Sequence, residues 1–155
     1  MYLFFKNGAP KRELKVDASC LCVKTRVPRL TKSLHSFLWR TYTLFGGFYT
    51  EYFLYKDNKL LSRAEVVSKI PVLPFMSADG VHIGPCVTEA DERGKEYYPY
   101  LLNIIQMQYK NKVCYMIVEE HNSASIRGVQ KAGFRCYARG RKTKTRRYII
   151  ENTEC

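Results

Sequence analysis

The stretch from residue 81 to residue 134 constrains this chain most. It alternates an apolar strand at Val81–Thr88, an amphipathic helix over 94–110, a nearly unbroken apolar run over 113–119, and a second helix. That second helix opens at the cap Asn122 and closes at Gly133, which can take the positive φ of a helix end. A run as apolar as 113–119 reads as a strand buried on both faces. Strand, helix and strand of these lengths form a parallel pair joined by a right-handed crossover. The first strand carries a defect, Gly84-Pro85, because proline donates nothing to a ladder and marks an edge or a bulge.

The rest of the chain builds around that unit. Tyr2–Lys6 reads as a strand ended by the turn Asn7-Gly8-Ala9-Pro10, and residues 18–24 as a second strand. From Thr31, apolar residues at Leu34, Phe37, Leu38, Tyr42 and Phe45 have helical spacing, stopped by Gly46-Gly47. A hairpin follows, with strands over 48–55 and 60–69, then a connection over 71–79 containing two prolines. Residues 134–139 and 147–150 read as two final strands around a basic turn. The expectation is one α/β domain over 1–155, with a single mixed sheet flanked by helices.

Composition narrows the partners. The net charge of +12 calls for an anionic partner or a solubilising surface: nucleic acid, acidic lipid or a phosphate-rich cofactor. No run of about 18 apolar residues is present, so no membrane span is expected, and the reading is cytoplasmic. The six cysteines lack zinc-ligand spacing; reduced thiols and no metal site are expected. Six of the ten residues over 138–147 are Lys or Arg. The segment reads as a solvated hairpin tip, with phosphate contact to nucleic acid as the alternative.

Two motifs carry chemistry. In the first, a strand ends in a turn with Arg93-Gly94-Lys95 and a helix begins; its unpaired amides and dipole favour phosphate. The second, N-S-A-S-I-R-G-V-Q-K-A-G-F, runs from Asn122 to Phe134 directly after the buried strand. In order, spacing and intervening strand, the two resemble the cofactor-binding segments of the GNAT acetyltransferase superfamily. The match covers about 81–150, and the preceding hairpin fits the same fold. It implies a GNAT-type sheet with a splayed strand pair forming a cleft for acetyl-CoA, and Gly84-Pro85 is a physical cause for the splay. Carried over by position, Cys86 and Thr88 match backbone contacts to the pantetheine arm. Arg93, Gly94, Lys95, Glu96, Tyr97 and Tyr98 match the pyrophosphate loop, and Asn122 and Ser125 match contacts at the start of the next helix. Lys131 and Gly133 are read as structural.

This sequence departs from the pattern in two places. Glu96 and Tyr98 stand where Gly and Gly or Ala are usual, and Glu96 is expected to face solvent. Val129 stands where many members have the tyrosine that protonates the departing thiolate; Tyr97, Tyr98, Tyr137 or a water are the stand-ins, with Tyr98 taken as the candidate. His82 is taken as the general base, because simple alternation puts it on the same face as Cys86 and Thr88, with Glu119 and His121 behind it. The implied reaction moves an acetyl group to a small-molecule primary amine, such as an amino sugar, by direct attack in a ternary complex. A homodimer is compatible with it. The alternatives are a CoA-binding module that has lost catalysis, or a nucleic-acid-binding protein using 138–147.

Overall fold

The computed structural model describes residues 1–8, 14, 20–25, 42 and 47–153. The described strands are β1 (Tyr2–Lys6), β2 (Leu21–Thr25), β3 (Tyr49–Lys56), β4 (Lys59–Ser68), β5 (Val81–Thr88), β6 (Cys114–Glu119), β7 (Arg135–Lys142) and β8 (Tyr148–Asn152). The helices described along their whole length are α1 (Tyr97–Gln108) and α2 (Ser123–Lys131), preceded by a 3-10 turn at Ala90–Glu92. The helix expected from Thr31 falls largely outside the described residues.

One eight-stranded sheet runs in the order β2-β3-β4-β5-β6-β1-β7-β8. Every neighbouring pair is antiparallel except β5 and β6, which are parallel as the crossover requires. β1 is inserted between β6 and β7, pairing Tyr2 with Glu119 on one side and with Gly140 on the other.

The β5–β6 ladder holds only Val81 with Cys114 and His82 with Tyr115. Beyond it the strands part, and the parting coincides with Gly84, at φ +136°, and a cis bond to Pro85. On the other side of β5 the same two residues make a bulge. Val66 pairs with Ile83 and Ala64 with Cys86, so two steps of β4 oppose three of β5.

The sheet has two packed faces. Val66, Val81, Ile83, Cys114 and Met116 pack against Leu101, Leu102 and Ile105 of α1 and Val129 of α2. On the opposite face, Tyr115 packs with Leu73 and Met76 from the β4–β5 connection, and Tyr148 N–H is tied to Val72 O at 3.0 Å. Among the described residues no helix is long and apolar enough to cross a membrane. Against the expectation of reduced thiols throughout, Cys136 is disulfide-bonded, whereas Cys20, Cys22, Cys86 and Cys114 are free.

Candidate functional site

At the open end of the splay lies a cavity of about 610 Å³ between the N-termini of α1 and α2. Every residue assigned from sequence to the cofactor lines it except Lys95: Cys86, Thr88, Arg93, Gly94, Glu96, Tyr97, Tyr98, Asn122 and Ser125 are all there. Lys95 turns instead to Glu92, 2.9 Å away.

The two helix starts are built differently. Asn122 Oδ1 accepts the Ser125 N–H at 3.1 Å, the side-chain cap its position predicts. α1 begins at Tyr97 rather than at 94, because Gly94 and Glu96 both have positive φ, +82° and +65°. A Cβ at Gly94 would meet nothing within 4 Å, so glycine is needed there for its conformation and not for space. Glu96 adopts the same left-handed region at the cost a side chain incurs there.

Charges around the cavity are partly neutralised in place. The Glu92 carboxylate, 2.6 Å from Lys59 and 2.9 Å from Lys95, is held below the usual carboxylate range by these two hydrogen bonds. Glu96 does not face solvent as expected; it lines the cavity and pairs with Lys131 at 2.9 Å. Lys131 is therefore a cavity residue rather than a purely structural one. Arg93 donates from Nε to Thr88 O at 3.4 Å, stitching the loop to the end of β5. Arg127 also lines the cavity, a residue the motif reading did not single out. The signal was present, since Arg127 and Lys131 are four residues apart on one helix and share a face.

Tyr98 crosses the cavity floor. Its hydroxyl lies 3.3 Å from Ser125 Oγ and engages the Cys86 thiol, joining β5 to α2. Its ring lies over Gly128, where an added Cβ would sit 2.5 Å from Tyr98 Cδ1. Burial pushes the Tyr98 phenol well above its ordinary value, and pushes the Cys86 thiol up to about 12. A phenol held that high is a hydrogen-bond donor to a thiolate, not a source of a fully transferred proton.

His82 is elsewhere. Regular alternation would align it with Cys86 and Thr88, but the bulge shifts the parity of the strand. Ile83, Cys86 and Thr88 end up on the face that carries α1, opposite Val66, Ala64 and Ser62. His82 stays on the other face beside Tyr115 and does not line the cavity. Its Nε2 is buried and has no hydrogen-bond partner among the described residues, and burial lowers its pKa to about 4. A base that weak contributes little near neutral pH. His121 is exposed and lies 3.2 Å from Glu119 at the end of β6; neither lines the cavity. Beside Pro85, on the His82 face, Glu51 and Glu65 stand directly opposite each other across β3 and β4.

The basic hairpin of β7 and β8 is partly self-neutralised. Arg139 lies 3.3 Å from Glu120, Arg141 pairs with Glu151, and Lys142 sits over the Tyr148 ring. No group of three or more potential metal ligands is found among the described residues.

No family model matches the sequence, and no curated protein matches it. Solved structures do match. A GNAT-family acetyltransferase from Colwellia psychrerythraea aligns over 87% of this chain at TM-score 0.59 and 12% identity. A tandem GNAT protein from the clavulanic acid biosynthesis pathway aligns over 88% at 0.56 and 14%. A GNAT-family protein from Novosphingobium aromaticivorans aligns over 87% at 0.52 and 16%. This chain covers only 52%, 50% and 59% of those three chains, respectively. With its splayed parallel pair, its bulged β5 and these structural relatives, the chain has the fold of the GNAT superfamily.

Proposed function

We propose that this chain binds acetyl-CoA in the cavity between α1 and α2 and transfers its acetyl group to an amine. The observation that carries the reading is the convergence of two helix N-termini and Arg93 on one cavity at the mouth of the splay. Such a donor set matches a diphosphate, because helix-end amides and a guanidinium both favour anionic oxygens. The carboxylates present do not contradict it, since Glu92 is held by two lysines and Glu96 by one. Acidic lipid or nucleic acid would also answer the charge of the chain, but neither needs a cavity of this shape.

In this reading Arg93, the Tyr97 and Tyr98 amides and the Asn122–Ser125 turn hold the diphosphate. Backbone groups of Cys86 and Thr88, on the strand edge that β6 has left, hold the arm that follows. When bound, acetyl-CoA supplies an acetyl group already activated as a thioester. The chain's task is then to hold the acceptor amine in line and stabilise charge as it forms. Backbone amides of β5 near the bulge are fixed donors for the developing oxyanion. Tyr98 O–H steadies the sulfur side by hydrogen bonding, in place of the tyrosine that Val129 replaces. A free thiolate of pKa about 8.5 is a tolerable leaving group, so this donor is sufficient without full proton transfer. The acceptor is a small primary amine, and it loses its proton to water rather than to His82.

A CoA-binding module without turnover is the second reading, favoured by Val129 and by the Tyr98 side chain lying across the floor. Two measurements separate the possibilities. Acetyl-CoA at millimolar concentration should raise the melting temperature, because a ligand bound only by the folded state stabilises it. Release of free thiol in the presence of a panel of amines should then exceed release without amine. A melting temperature indifferent to acetyl-CoA and CoA alike would falsify both readings; stabilisation without amine-dependent thiol release leaves the second.

A further inference from the structure

The cations that line the cavity are not all committed to partners. Arg93 is tied to the loop through Thr88 O, and Lys131 is committed to Glu96. Arg127, by contrast, is exposed, lines the cavity, and makes no ion pair among the described residues. It stands one turn into α2, about 6 Å along the axis from Ser123 at the start of the helix. A second anionic group placed a short distance from the diphosphate would meet it.

We propose, building on acetyl-CoA binding in this cavity, that Arg127 recognises the 3′-phosphate of the CoA ribose and so makes the site selective for CoA over its dephosphorylated form. That phosphate is separated from the diphosphate by a single ribose, which fits a cation one helical turn away from the diphosphate donors. A guanidinium suits it because its planar fork can donate two bonds to one phosphate. The side chain reaches it without disturbing the core, since Gly128 and Val129 beside it are buried while Arg127 itself is exposed. The Glu96–Lys131 pair next to it has the complementary effect of removing an unpaired carboxylate from the phosphate's surroundings.

The test is calorimetric titration of wild type, Arg127→Ala and Arg127→Lys with CoA and with 3′-dephospho-CoA at fixed ionic strength. Wild type should bind CoA about tenfold more tightly than dephospho-CoA, a difference of about 1.4 kcal/mol. Arg127→Ala should bring the two ligands together chiefly by weakening CoA, and Arg127→Lys should restore part of the preference. Equal affinity of wild type for both ligands overturns the inference while leaving the proposed function standing. So does a wild-type preference that Arg127→Ala leaves intact. Binding of neither ligand by wild type removes the proposed function and this inference together. Circular dichroism of the variants checks that the exposed substitution leaves the fold unchanged.

Discussion

Lys131 Nζ lies 2.9 Å from Glu96 Oε1, joining the last turn of α2 to the left-handed residue that opens α1. The pair spans the mouth of the cavity and neutralises a carboxylate that would otherwise face a bound anion. Lys131→Ala should therefore weaken CoA binding several-fold. Glu96→Gly removes the carboxylate and the backbone cost at φ +65° together. The partly exposed ion pair it loses contributes roughly 0.2–1 kcal/mol, comparable to what relief of the left-handed conformation returns. Glu96→Gly should leave the melting temperature within a few degrees of wild type while tightening CoA binding, both read by calorimetry.

Arg93 and Lys95 look alike in sequence but are engaged differently. Arg93→Ala should weaken CoA by about tenfold or more, in line with loss of a charge-assisted contact of roughly 1.5–3 kcal/mol. Lys95→Ala should change it by less than about threefold, because Lys95 is turned to Glu92 and is worth no more than an exposed pair. Reversal of that ranking in a titration would count against the loop geometry.

Gly128 has no room for a methyl group. Gly128→Ala would press a Cβ onto the Tyr98 ring, at a cost of roughly 1–3 kcal/mol by overpacking. Tyr98→Ala should relieve most of that cost in the double variant, so the two substitutions should be strongly non-additive in a denaturant-unfolding cycle. Tyr98→Phe keeps the ring and loses only the hydroxyl bridge to Ser125 and Cys86. It should lower kcat more than it raises KM for acetyl-CoA.

His82 gives the fold a pH dependence of predictable sign. Burial lowers its pKa to about 4, whereas an unfolded histidine titrates near 6.5. Between those values the unfolded chain binds more protons than the folded one, so stability rises with pH across this window and is lost as pH falls through it. The full effect is of order 3 kcal/mol, flat above about 6.5 and spent below about 4. His82→Asn should flatten this part of the stability profile measured by urea unfolding at pH 4.5 and 7.5. Activity near neutral pH should not depend on the titration of His82, since it is off the cavity.

Much of the frame could be read from residue spacing alone. β5 matches its predicted bounds, and the buried character of β6 follows from a run with no polar interruption. The Asn122 cap was visible because only a few side chains can accept a helix-end amide. What escaped were effects created between segments. His82 does not share the face of Cys86 and Thr88 because alternation assumes a regular ladder, and a bulge at Gly84-Pro85 reverses the parity after it. Glu96 was expected in solvent because its partner, Lys131, is 35 residues away and reaches it only once α1 and α2 are packed. α1 starts later than its apolar spacing suggests because two positive-φ residues precede it, and a glutamate does not advertise that conformation.

The place of β1 bears on how the sheet is assembled. Its five residues pair with β6 and β7, so Tyr2 must wait for Glu119 and Gly140 before either side of it can close. Contacts so distant along the chain are costly to form early and slow the search for the native state. During synthesis this apolar strand emerges well before both of its partners and stays unpaired until they follow. Residues at its two flanks are therefore where a chaperone, or a rival strand from another molecule, would find the growing chain most receptive.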